Sequence, residues 1–300
     1  MKIEKLLIVG SGTMGQQIGL QCAMSGFNTT MYDISEDALQ RCKAAQEAYI
    51  PSWRNSNPDA SNEDVAAGLA RLSYNCDLES AARDVDLVSE SIPEDLAIKQ
   101  SVYSELSRYC RPDTILTTNT SNLLPSTIAP FVERPERFLA LHFAGLVWEA
   151  SIGEVMPHPG TDAKVFERIL TFAREISMVP IRIENEHPGY LLNSLLQPWL
   201  NAAASLVVNG VATPQEVDKT WMICSGMRHG PFGVLDVVGA VTSYNIAQLW
   251  AAAEPDNPQH LKNAAFIKEN FLEKALLGVQ SGQGYYSYPD PEFARPDFLK

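Results

Sequence analysis

Three things are scarce in this chain of 300 residues, and each scarcity excludes something. Cationic groups are few: 23 Lys and Arg stand against 36 Asp and Glu, a formal net charge of −13. So acidic a surface repels phosphate backbones and anionic headgroups, which excludes nucleic acid and anionic membranes as general partners. Any polyanionic ligand has to be caught by a local basic patch. Cysteines are few and odd in number: Cys22, Cys42, Cys76, Cys110 and Cys224. No two have the C-x-x-C spacing of a redox or zinc site, so we expect reduced, scattered, partly buried thiols and no metal centre. Long apolar runs are missing near the start, where residues 6–9 are followed at once by glycines. Four apolar residues are too short for a signal peptide or a membrane span, and a cytoplasmic protein is expected. There is no internal repeat and no low-complexity tract. At 45% hydrophobic and 20% charged residues, the composition is that of a globular protein long enough for two domains.

What is present is most distinctive in residues 5–33, KLLIVGSGTMGQQIGLQCAMSGFNTTMYD. The run 6–9 reads as a strand buried on both faces. Gly10, Gly12 and Gly15 follow in G-x-G-x-x-G spacing, with Thr13 and Met14 between them, and from Met14 onward the pattern is helical. The three glycines suit a tight turn, close approach to a pyrophosphate and close helix–strand packing. A pyrophosphate there meets the N–H groups and positive end of the helix. Asp33 ends a second apolar stretch, where a carboxylate accepts hydrogen bonds from a ribose and repels a 2′-phosphate, favouring NAD over NADP. The glycine spacing alone recurs in many turns. Here the preceding strand, the following helix and the strand-end acid all accompany it.

Beyond this unit, the pattern predicts a helix over 35–48, a polar break over 51–62 and a short helix over 63–70. Strands are predicted over 84–94, 114–120, 137–143, 151–157 and 179–184, with helices over 95–110 and 162–177. Alternating strands and helices predict a doubly wound, mainly parallel sheet of the α/β class. After residue 184 no strand pattern returns. Helices over 190–208, 214–224, 232–252 and 260–277 predict an all-α second domain, so the domains are read as 1–184 and 185–300. On the first of these helices Asn193, Gln197 and Asn201 share one face. That stripe is either solvated or lines a cleft.

Together these motifs resemble the L-3-hydroxyacyl-CoA dehydrogenases. The resemblance spans the chain: GSGTMG (10–15), Asp33, ESIPE (90–94) with Lys99, NTS (119–121), RFLALHF ending on His142 and Phe143, GEV with Glu154, HPGYLLN ending on Asn193, GPFGVLDVVG (230–239) and GQGYYSYP (282–289). It implies a Rossmann-type NAD domain, an α-helical domain through which the family dimerises, and oxidation of a 3-hydroxyl to a 3-ketone with NAD. By the same resemblance His142 is the general base, Glu154 orients it, and Ser121 and Asn193 hold the substrate oxygen. Gly10, Gly12, Thr13, Met14, Gly15, Asp33, Glu94, Lys99 and Asn119 fall on the cofactor side. The chemistry is apt: imidazole suits proton abstraction, and a carboxylate on its far nitrogen fixes the tautomer. His158, His187, His229 and His260 are read as structural or surface residues.

The chain departs from the family pattern at two places. After His142–Phe143 the family usually reads Phe-Asn-Pro, whereas this chain has Ala144, Gly145 and Leu146, and Ser194 replaces a frequent Arg. A short bacterial subgroup, described as 3-hydroxyacyl- or 3-hydroxybutyryl-CoA dehydrogenases, shares LALHFA…W…GTD and NSLL. The family also offers lysines to CoA phosphates on the hairpin after the second strand. Here residues 41–75 carry Arg41, Lys43, Arg54 and Arg71 against Glu47, Asp59, Glu63 and Asp64. The expected activity is therefore NAD-dependent oxidation of a short-chain 3-hydroxyacyl-CoA. The alternatives are a free 3-hydroxy acid, as in gulonate or carnitine dehydrogenases, and an NAD-binding protein without turnover.

Overall fold

The run 6–9 lies at the centre of an eight-stranded sheet. The structure, a computed structural model, describes residues 2–300. Strand β1 (Lys5–Val9) leads into helix α1 (Thr13–Met24) and β2 (Asn28–Tyr32). Then come α2 (Glu36–Ser56), α3 (Asn62–Leu69), β3 (Leu72–Asn75) and α4 (Leu78–Ala82). The chain returns to the centre as β4 (Leu87–Glu90), followed by α5 (Leu96–Tyr109), β5 (Ile115–Thr118), α6 (Pro125–Ile128) and β6 (Phe138–Phe143). The sheet closes with β7 (Ile152–Met156), α7 (Ala163–Glu175) and β8 (Val179–Arg182). The order is β3-β2-β1-β4-β5-β6-β7-β8, parallel except between β6 and β7. Leu6 and Ile8 pack into one core and Leu7 and Val9 into another, as alternation on a strand covered on both faces requires. The order reverses between β1 and β4, so a crevice opens beyond their carboxyl ends, the place where open α/β sheets bind ligands.

The chain divides into two compact units, Met1–Leu191 and Leu192–Lys300. The division falls after the Glu184 boundary read from the sequence because residues 186–191 are tied to the first unit. Ser126 N donates to the Glu186 carboxylate (2.6 Å), His187 N to Met156 Sδ (3.3 Å) and Leu191 N to Glu154 Oε1 (2.9 Å).

Several elements differ from expectation. The break predicted from residue 51 begins only after Ser56, since α2 continues through Pro51. Pro51 forgoes one helical hydrogen bond, and tertiary contacts of Tyr49 and Ser52 on either side of it hold the turn. Strand β3 and helix α4 were not expected. The strand predicted over 84–94 ends at Glu90, where the Glu90 carboxylate turns back to accept from Ile92 N (2.9 Å). All five cysteines are free, with Cys22, Cys42 and Cys110 buried and Cys76 and Cys224 exposed. Burial pushes the Cys42 and Cys110 thiols up to about 12, so neither is a thiolate at neutral pH.

The second unit is helical: α8 (Leu192–Val208), α9 (Pro214–Ser225), α10 (Pro231–Val238), α11 (Ala240–Ala253) and α12 (Pro258–Asn270). The single helix expected over 232–252 is broken at Gly239, whose φ of +86° favours glycine. Two buried acids explain the glycine- and tyrosine-rich motifs here. Asp218 accepts from Phe232 N, Gly233 N and Tyr286 Oη at 2.8–3.0 Å, capping α10 from α9. Asp236 accepts from Tyr285 N, Tyr286 N and Tyr288 Oη at 2.8–3.1 Å, clamping the C-terminal tail to α10. Burial raises both carboxyls, and these hydrogen bonds pull them back. On the α8 stripe, the half-buried Asn201 has its Oδ1 accepting from Asn263 Nδ2 of α12 (2.9 Å), which ties the two helices together. Among the described residues no helix is long and apolar enough to cross a membrane.

Candidate active site of the first unit

The glycine-rich turn has the form its spacing implies. Gly10 sits at φ +100°, and a Cβ there would lie 2.6 Å from Ser91 O. A Cβ on Gly15 would lie 1.9 Å from Gly10 O, so only glycine lets α1 approach the turn. Gly12 faces open space, and as N-cap of α1 it supplies no side-chain cap. The first N–H groups of α1, from Thr13 and Met14 onward, are thus presented to that space. Asp33, just past β2, accepts from Ser11 N (3.0 Å) and Ser11 Oγ (2.7 Å), which sets the acid beside the turn. Backbone donors, an uncrowded cradle and a strand-end carboxylate fit a dinucleotide.

Behind the crevice lies a buried ionic network. Glu90 is fully buried and Lys99 is 1% exposed, and they meet at 2.5 Å. Glu90 also accepts from Tyr103 Oη (3.1 Å) and Thr118 Oγ1 (2.7 Å). Lys99 reaches Glu94 at 3.6 Å. Glu94 in turn accepts from Thr120 Oγ1, Ser121 N (3.2 Å) and Asn122 N (3.0 Å). Glu94 therefore holds the 120–122 turn that carries Ser121. Asn119 has its Oδ1 on Phe143 N (2.9 Å), linking the ends of β5 and β6. Glu94, Lys99 and Asn119 thus shape the wall of the crevice from within.

His142 and Glu154 are directly opposed residues of the antiparallel β6–β7 pair. Twelve residues apart in sequence, they share one face by register, and a one-residue slip would send Glu154 to the other face. His142 Nδ1 lies 2.8 Å from Glu154 Oε2, and Nε2 lies 3.2 Å from Ser121 Oγ. Since an ionised carboxylate only accepts, Nδ1 carries the proton, leaving Nε2 as the acceptor toward Ser121. Both dyad residues are nearly inaccessible, His142 at 4% and Glu154 at 1%. Glu154 keeps its second oxygen on Leu191 N. The Tyr190 ring stacks on the imidazole, centroids 4.5 Å apart and planes at 20°.

The segment where the chain leaves the family pattern is a pinned turn. Gln17 Oε1, from α1, accepts from Leu146 N (2.7 Å) and Val147 N (3.3 Å). Trp148 Nε1 donates to Ser52 Oγ (2.8 Å), Ser52 Oγ donates to Glu149 Oε1 (2.9 Å), and the Tyr49 ring lies 5.3 Å from the Trp148 ring.

Residues 5–187 match the NAD binding domain of 3-hydroxyacyl-CoA dehydrogenase, and residues 189–288 match its C-terminal domain. The chain belongs to the 3-hydroxyacyl-CoA dehydrogenase family. This family member is an NAD-dependent oxidoreductase. It is 31% identical over 290 residues to the mitochondrial hydroxyacyl-coenzyme A dehydrogenase of Mus musculus, covering 95% of this chain and 91% of that one. It is 28% identical to a probable 3-hydroxybutyryl-CoA dehydrogenase of Bacillus subtilis, covering 97% and 99%. Among solved structures, a diketoreductase described for substrate-directed dual catalysis of dicarbonyl compounds is 40% identical, with a TM-score of 0.89 over 96% of this chain and 100% of that one.

Of the site residues read from the family's motifs, the structure brings His142, Glu154, Ser121, Glu94, Lys99 and Asn119 into one connected set. Asn193 lies in the first turn of α8, in the second unit, and is half-buried. His158 is structural, with Nε2 2.8 Å from Pro135 O and Nδ1 accepting from Gly160 N (3.1 Å). Sequence reading missed Tyr190, the Leu191 N–H and Gln17. Only Tyr190 had a signal, as the aromatic of HPGYLLN.

Proposed function

We propose that the protein interconverts a 3-hydroxyl and a 3-ketone on a short-chain 3-hydroxyacyl-CoA such as 3-hydroxybutyryl-CoA. The observation that carries this reading is the register-paired His142–Glu154 dyad with Ser121 on the outer nitrogen. In the oxidative direction the substrate hydroxyl takes its place beside Ser121 Oγ and His142 Nε2. Nε2 accepts the hydroxyl proton as the C–H bond breaks, and Glu154 stabilises the imidazolium through Nδ1–H. When bound, NAD supplies the acceptor for the hydride leaving the carbinol carbon, so the products are ketone, NADH and one proton. The burial of His142 and Glu154 keeps water off the dyad, which strengthens its electrostatics. Asn193 is assigned to the substrate oxygen on the family's pattern. A homodimer in the cytoplasm is part of the same reading. Val237 of α10 and Val241 and Leu249 of α11 are exposed apolar side chains of the second unit that such a dimer could cover.

A second reading replaces the thioester by a free 3-hydroxy acid. It is favoured by the 40% identity to the diketoreductase, which is described by its dicarbonyl compounds with no CoA carrier named. It is favoured also by Arg54, whose guanidinium is spent on Asn62 Oδ1 (2.7 Å) and the carbonyls of Ala60 and Ser61. The hairpin where the family offers lysines thus has one fewer cation to give a phosphate. NADH formation with 3-hydroxybutyryl-CoA and with free 3-hydroxybutyrate separates the readings. The first expects kcat/KM for the thioester at least about 100-fold higher, the scale on which remote binding energy is expressed in rate. A ratio near one, or reversed, replaces it with the second.

A further inference from the structure

We propose that Tyr190 is a positioning residue for this reaction: its ring fixes the plane of the His142 imidazole and stabilises the imidazolium formed when Nε2 takes the proton. The proposal rests on the reading of His142 as the base. Glu154 and Ser121 hold the two ring nitrogens in the plane of the ring. Two such contacts define a line through the imidazole and leave tilt about that line unopposed. The stacked Tyr190 ring, at 4.5 Å and 20°, is the third constraint. A π face within about 6 Å of a cation also attracts it, so the contact strengthens as the imidazole becomes charged. An interaction that grows between ground state and transition state is the kind that raises kcat.

The backbone is bent to make this contact. Tyr190 has φ +56°, which a bulky aromatic rarely adopts, and it follows Gly189 at φ +80°. Such a conformation persists only where its surroundings repay the cost. Two left-handed residues in succession reverse the chain, so that one short turn serves both members of the dyad. The Tyr190 ring covers His142, and the next residue's N–H holds Glu154 Oε1. Tyr190 is 1% exposed and packs with Ala140, Met156 and Ile183. Burial, then the charges of Glu94, Glu154, Glu90 and Glu186, keep its phenol neutral, so the π face does not itself titrate at working pH.

The test compares Tyr190→Phe, which keeps the π face, with Tyr190→Leu, which keeps an apolar filling and the exclusion of water. The His142 imidazole is titrated by NMR in the protein without substrate, and kcat and KM are measured with 3-hydroxybutyryl-CoA and free 3-hydroxybutyrate. Tyr190→Phe is expected to match the parent within about three-fold in kcat. Tyr190→Leu is expected to lose about 3- to 30-fold in kcat with KM little changed, and to titrate about half a unit to one unit lower in pH. A fluorinated phenylalanine series at 190 preserves shape while draining π density, and log kcat is expected to fall steadily along it. Tyr190→Leu with the parent's kcat and titration overturns the proposal, as does a flat fluorination series. If His142→Ala retains activity, the base assignment itself fails. The NMR titration, which needs no turnover, reports on the stacking separately.

Discussion

His142→Ala lowers kcat for NADH formation by about 10²–10⁴-fold, the range contributed by a positioned general base. NAD affinity, followed by titration of protein fluorescence, stays within about two-fold, because the glycine turn and Asp33 do not touch the imidazole. The size of the effect follows from the lack of a substitute. Ser121 Oγ is the other polar group at Nε2 (3.2 Å), and a serine hydroxyl is far too weak a base to take over at neutral pH. Glu154 sits on the far, Nδ1 side of the lost ring and keeps its Oε1 on Leu191 N (2.9 Å), which holds it away from the position of Nε2.

Lys99→Met destabilises the fold by about 3–5 kcal/mol, measured by urea denaturation, and adding Glu90→Gln restores most of the loss. Removing the lysine leaves a fully buried carboxylate without its counter-charge. The remaining donors, Ile92 N, Tyr103 Oη and Thr118 Oγ1, are neutral and compensate only in part. By contrast Arg83–Glu79, whose side chains are 70% and 54% exposed, is worth at most about 1 kcal/mol, since water screens both charges. A loss near that smaller figure for Lys99→Met would mean that Glu90 is protonated or solvated in the native protein. Because Lys99 also faces Glu94, the same variant is expected to loosen the 120–122 turn and lower kcat.

The first thirty-three residues were legible because their logic is local. A buried strand, three glycines at fixed spacing, a helix start and a strand-end acid each constrain one another over short distances. The alternation of strands and helices announced the parallel sheet in the same way. The dyad was not legible from its own stretch, since nothing within residues 137–157 sets a register. That register comes from the turn between β6 and β7, and the turn is held by Gln17, Tyr49 and Ser52, more than 90 positions upstream. Only the likeness to a family pointed to it. The helical break at Pro51 was misread for a related reason, because the contacts that carry α2 through the proline are tertiary. The left-handed conformation of Tyr190 is also imposed by packing. Local preference alone would place a tyrosine elsewhere.

The central claim is that His142 and Glu154 act as one unit, and a double-mutant cycle on NADH formation tests it most directly. kcat is measured for the parent, His142→Ala, Glu154→Gln and the double variant, with the substrate that the protein turns over fastest. The expected result is that Glu154→Gln alone is slowed and that the double variant is no slower than His142→Ala, since the carboxylate acts only through the imidazole. Losses that multiply, leaving the double variant slower by the product of the two single effects, would contradict the dyad.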